Sequence, residues 1–106
     1  MELTDVLFRT WKPPHRGIIA LFPGEACSIS DPALCLSYEH VGQHAAADYH
    51  RCIAATRPAR RAEYRSLAGE LRGRGYRLRT LKRASARHYQ QRLATIRRLR
   101  EGNDHA

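Results

Sequence analysis

Five consecutive apolar residues, Ile18-Ile19-Ala20-Leu21-Phe22, follow a break at Lys12-Pro13-Pro14-His15-Arg16-Gly17, and a stretch rich in β-formers, Leu3 to Lys12, precedes that break. Two extended segments joined through prolines and a glycine read as a hairpin. Both alternating sets of the second segment are apolar, so neither of its faces can be left to water, and it is expected as a central strand covered on both sides. The run is also the longest apolar one in the chain, far below the ~20 residues that span a bilayer. No membrane partner is expected.

Downstream, Pro23-Gly24-Glu25 is expected to stop that strand, and turn residues Ser28, Ser30 and Asp31 mark a surface loop. Ala33 to His40 alternates, with Leu34, Leu36 and Tyr38 on one side and Cys35, Ser37 and Glu39 on the other, which predicts a third strand. His44 to Thr56 has helical spacing, with Ala45, Tyr49, Cys52, Ile53 and Thr56 on one face. A second helix is expected to start at Pro58, to bury Tyr64, Leu67, Ala68 and Leu71, and to end at Gly73-Arg74-Gly75. Tyr76 to Lys82 alternates as a fourth strand with Arg77 and Arg79 outward. A last helix runs from a Ser85 cap to about Arg100, with Tyr89, Leu93 and Ile96 as its core stripe.

The resulting order, βββααβα, predicts an α+β two-layer sandwich with a mainly antiparallel sheet of about four strands and three helices. Its 106 residues, 42% of them hydrophobic, make one domain over 1–100 with a frayed tail at 101–106. A core of this size needs neither disulfides nor a metal. Three cysteines, Cys27, Cys35 and Cys52, and a start without a basic, apolar leader exclude a secreted disulfide scaffold and point to the cytoplasm.

Charge is the strongest functional signal. Residues 1–50 hold 3 basic and 6 acidic side chains, residues 51–106 hold 16 and 4, so the halves carry −3 and +12. A polyanion is the expected partner, and nucleic acid, DNA or RNA, is the commonest one. An acidic protein surface would use the same arginines. On the last helix Arg87, Gln91, Ala94 and Arg98 fall on one stripe, with Arg83 just upstream and Arg77 and Arg79 on the preceding strand. These are the candidate nucleic-acid contacts, made chiefly to phosphate.

A second cluster is Ser37-Tyr38-Glu39-His40-Val41-Gly42-Gln43-His44. Placed at a strand-to-helix junction, His40, Gln43 and His44 would offer donors to an anion beside unpaired helix amides. His40 or His44 could also serve as acid or base on a phosphodiester; the opposing expectation is that they cap the helix and Gly42 makes the turn. Cys27, Cys35, His40 and His44 form a zinc-type ligand set, but the C-x7-C-x4-H-x3-H spacing fits no short ligand pair, and no metal or other cofactor is expected. No nucleophile elbow, phosphate loop or dinucleotide fingerprint is present. The expected activity is therefore non-enzymatic binding.

At Ile19-Ala20-Leu21-Phe22-Pro23, at Ser37 to His44, and at Glu63-Tyr64 through Glu70-Leu71 with Gly75-Tyr76, the sequence resembles a group of small uncharacterised bacterial proteins, over roughly residues 5 to 83. The resemblance implies no activity. It directs attention to the His40–His44 segment.

Overall fold

The hairpin forms as expected. In the computed structural model, which describes residues 2–39 and 43–104 apart from the side chains of Gln43, Asn103 and Asp104, β1 (Thr4–Trp11) pairs antiparallel with β2 (Ile18–Ala26), placing Leu7 opposite Leu21. Gly17 closes the turn at φ +106°, a conformation that a residue with a Cβ adopts only under strain. β3 (Leu34–Glu39) pairs with β2 and β4 (Gln43–Asp48) with β3, both antiparallel. Then follow α1 (Tyr49–Ala55), β5 (Thr56–Pro58), α2 (Arg61–Gly73), β6 (Leu78–Thr80) and α3 (Ala86–Asp104).

The sheet runs β4-β3-β2-β1, and two short strands share the free edge of β1. β6 lies parallel to Thr4–Val6, and β5 antiparallel to Arg9–Trp11. The protein is thus α+β, with three helices and a mainly antiparallel sheet of six strands, rather than four, among the described residues, in the order ββββαβαβα.

Alternation along β1, β2 and β3 sorts the core into two halves. Val6, Phe8, Ala20, Phe22 and Tyr38 meet Leu67, Ala68 and Leu71 of α2 on one face. Leu7, Ile19, Leu21 and Cys35 meet Ala47 and Cys52 on the other, where α1 lies. With helices on both faces, the two-layer expectation is corrected to a sheet covered on each side. The reason was already in Ile18–Phe22, whose two apolar faces both require cover.

Three further corrections have local causes. The predicted helix over 44–56 is a strand up to Asp48 and a helix only after it. Six register pairs to β3 outweigh the helix propensity of Ala45-Ala46-Ala47, and Asp48 caps α1 by accepting the Arg51 amide at 3.0 Å. Pro58 lies in β5, and α2 starts at Arg61, where the Glu63 carboxylate accepts the Arg60 amide at 2.8 Å. β2 does not stop at Pro23-Gly24. It continues to Ala26 past an irregularity, and pairing resumes at Ala26 with Cys35.

α3 differs most from expectation. Its buried residues are His88, Arg92 and Ile96, one turn apart each, whereas Tyr89 is 41% and Leu99 48% exposed. Arg92 donates through Nε to the Pro32 carbonyl at 2.8 Å and through a terminal nitrogen to the Pro23 carbonyl at 2.6 Å. Its guanidinium also lies over the Tyr49 and Tyr89 rings. His88 accepts the Ser85 amide at Nδ1, 2.9 Å, which leaves Nε2 to donate to Asp5 at 2.8 Å. The helix is thereby docked by polar groups that would ordinarily face water. Arg9 is used similarly, donating to the carbonyls of Ile53 and Thr56 at the end of α1. Among the described residues, no helix is long and apolar enough to cross a membrane.

Candidate functional site

The C-terminus of α2 builds one wall of a polar recess. Gly75, at φ +102°, lets the chain reverse; its amide donates to the Arg72 carbonyl at 3.0 Å and the Tyr76 amide to the Leu71 carbonyl at 3.2 Å. This is a Schellman cap, and it folds Tyr76 back onto the last turn of the helix. Tyr76 then stacks on Phe22, 5.2 Å between centroids and 10° between planes. Arg74 and Arg77 flank it and are both exposed.

The opposite wall is His44 at the edge strand β4. Register places it opposite Tyr38, and its ring meets the Tyr38 ring edge-on at 4.8 Å. His44 Nε2 and the Tyr76 hydroxyl are 2.8 Å apart and hydrogen-bonded. The start of β1 closes the recess, with the Thr4 amide donating to the Arg77 carbonyl at 2.7 Å. The result is an open cleft of about 400 Å3 lined by Glu2, Thr4, His44, Arg74, Tyr76 and Arg77 around the Gly75 turn.

The aromatic groups are held by what lies beneath them. The Tyr38 hydroxyl donates to the Glu70 carboxylate, and the Arg74 guanidinium sits over the Tyr38 ring at 5.4 Å. The bond to Glu70 pushes the Tyr38 phenol up from its ordinary value, and burial pushes the Tyr76 phenol up. Both hydroxyls therefore stay protonated at neutral pH; that of Tyr38 donates to Glu70, and that of Tyr76 shares a hydrogen bond with His44. The cleft presents two guanidinium groups, an imidazole and a phenol against the Glu2 carboxylate, a balance that favours an anion, above an aromatic floor.

The predicted contact residues are divided by the sheet. Arg77 lines the cleft, on the α2 side. Arg79 is exposed but engaged: it pairs with Asp5 through Nε at 2.6 Å, and the carboxylate is held below the usual range first by that arginine and further by His88, against the opposing effect of burial. Arg83, Arg87, Gln91 and Arg98 are exposed along and just before α3, on the α1 side. Gln91 also lies close over the Gly24 backbone. Of the anion candidates, His44 is in the cleft. His40 and Gly42 lie outside the described residues, as does the side chain of Gln43 at the start of β4.

Arg74 and Tyr76 are the site residues that the linear reading passes over. The signal for both was the Gly73-Arg74-Gly75 stop, because a residue just after a left-handed glycine folds back on the helix end it terminates. For the cysteines, burial raises Cys35 to about 12 and also raises Cys52, so neither is poised as a thiolate. Among the described residues, no group of three or more His, Cys, Asp or Glu side chains is placed to hold a metal ion.

Comparison with known proteins adds no relative: no protein family, no curated protein and no solved structure matches the chain.

Proposed function

We propose that this protein binds nucleic acid without acting on it, chiefly through phosphate contacts made by the arginines of residues 51–106. The observation that carries the reading is the cleft where His44, Arg74, Tyr76 and Arg77 converge, because it adds a concave, donor-rich anchor to a surface that is otherwise only basic. Supporting it, fifteen of the sixteen basic residues in 51–106 are exposed, Arg92 being the exception. Arg57 and Arg79 pair with Glu63 and Asp5; the phosphate contacts are assigned to Arg74 and Arg77 at the cleft and to Arg83, Arg87, Gln91 and Arg98 beside α3.

Fluorescence anisotropy with labelled DNA and RNA oligonucleotides over a salt series tests the reading. Neutralising roughly five phosphates gives a slope of log K against log salt between about −3.5 for single strands and −4.5 for duplex. Replacing both Arg74 and Arg77 by alanine is expected to weaken binding and to reduce the steepness by somewhat under two. Binding that ignores salt, or no binding to any oligonucleotide at low salt, refutes it.

A second reading rests on α3, where exposed Tyr89 and Leu99 lie among Arg87, Arg97, Arg98 and Arg100. Two exposed apolar side chains on a face rich in cations fit an acidic protein surface. A complex with such a partner would survive nuclease treatment, and one formed through nucleic acid would not.

A further inference from the structure

The cleft is one of two recesses that sit at opposite ends of the pair formed by α2 and the returning strand β6. The second, about 340 Å3, opens where α2 begins and β6 ends, and Phe8, Ala59, Arg61, Tyr64, Thr80 and Lys82 line it. Its floor is also aromatic: Tyr64 stacks on Phe8 with centroids 4.4 Å apart and planes 6° apart. Its rim is also cationic, with Arg61 and Lys82 exposed. Phe8 and Phe22 belong to one core cluster, against which Tyr64 and Tyr76 both pack, so the two recesses lie on the same side of the sheet.

The spacing between them is bounded by the chain. Arg77 at the first recess and Lys82 at the second are five residues apart, so their Cα atoms are no more than about 18 Å apart even if the chain between them is fully extended. A ring held flat against the core, next to an exposed cation, and the same pair repeated within that distance, is what a single strand requires: a stacking surface for an unpaired base and a charge for its phosphate. A duplex offers neither recess a base face, because its bases are stacked on one another and only their edges reach the grooves.

Resting on the nucleic-acid reading above, we infer that the ligand is single-stranded and runs along the α2–β6 pair, with one unpaired nucleotide at each recess. His44, Tyr76, Arg74 and Arg77 take one. Tyr64, Arg61 and Lys82 take the other. The arginines of α3, across the sheet, contact phosphates that lie outside this track.

The test uses the full chain and four labelled 12-mers in low salt: oligo(dT), oligo(rU), and each annealed to its complement. Single strands are expected to bind at least tenfold more tightly than duplexes, with oligo(dT) against oligo(rU) separating DNA from RNA. His44→Ala at one recess and Lys82→Ala at the other each weaken single-strand binding about fivefold or more and leave duplex binding within twofold. Both residues are exposed, and circular dichroism checks that the variants fold. Arg16→Ala in the β1–β2 turn, outside residues 51–106 and both recesses, changes neither by more than twofold. Duplexes that bind as tightly as single strands, or single-strand binding insensitive to both recess variants, overturn the inference while the nucleic-acid reading stands. No binding of any of the four overturns both.

Discussion

Arg92 holds α3 to the sheet, and replacing it with methionine should unfold the protein far more readily than any other single Arg→Met change on that helix. The side chain is 3% exposed, and methionine keeps most of its apolar stem in place while deleting the donors. Two backbone carbonyls lose their partner. The Pro23 oxygen is buried, so leaving it unpaired costs about 1–3 kcal/mol. The Pro32 oxygen is partly reached by water, and about 1 kcal/mol is the fitting figure there. Loss of the guanidinium over Tyr49 and Tyr89 adds about 0.5–1 kcal/mol. The total is about 2.5–5 kcal/mol, a large share of the roughly 5–15 kcal/mol that such domains have. Urea titration followed by circular dichroism should show the midpoint falling with little change in slope, and the thermal midpoint should drop by about 15 °C. Arg97→Met, on the exposed side of the same helix, should stay within about 0.5 kcal/mol of the parent. If Arg92→Met behaves like Arg97→Met, Arg92 is a solvated surface residue and the account of α3 docking fails.

Three further outcomes follow from the same geometry. Asp5 is held below its ordinary value by Arg79 and His88, so the folded chain keeps this carboxylate charged where the unfolded chain begins to protonate. Its contribution is therefore complete above the unfolded value near pH 4 and is lost as pH falls through the lower folded value; the urea midpoint of Asp5→Asn should change less than that of the parent between pH 6 and pH 3, and parallel curves would refute this. Gly75→Ala should cost about 1–2 kcal/mol in a thermal or urea melt, because φ +102° strains any residue bearing a Cβ even though open space surrounds the position. In the native protein a thiol reagent at pH 8 should label half-buried Cys27 first, with Cys35, raised to about 12 by burial, reacting only on unfolding; equal rates for all three thiols would contradict the core assignment.

Much of the sheet was legible because strands declare themselves locally. Alternation at Leu34–Glu39 assigns Leu36 and Tyr38 to one core half and Cys35 to the other, as the fold has it. The Gly73-Arg74-Gly75 stop likewise marks the end of α2 and hence one wall of the cleft. The His44–Asp48 stretch was not legible, because alanine carries strong helix propensity and little strand signal. Only pairing with β3, a long-range term, makes it a strand.

The sequence by itself determined a hairpin with a doubly apolar strand, an α+β fold class, and a charge split of −3 against +12 between its halves. Those properties depend on residue type and short spacing, and no packing partner has to be known to read them. The tertiary structure decided which arginines are surface and which are scaffold. Seventeen arginines are chemically alike in the sequence. Arg9 and Arg92 nevertheless end as donors to buried carbonyls, Arg79 as the partner of Asp5, and Arg74 and Arg77 as the rim of a cleft with His44. A guanidinium can satisfy a backbone oxygen, a carboxylate or a phosphate with the same donors, and what it meets is settled by segments far away in the chain.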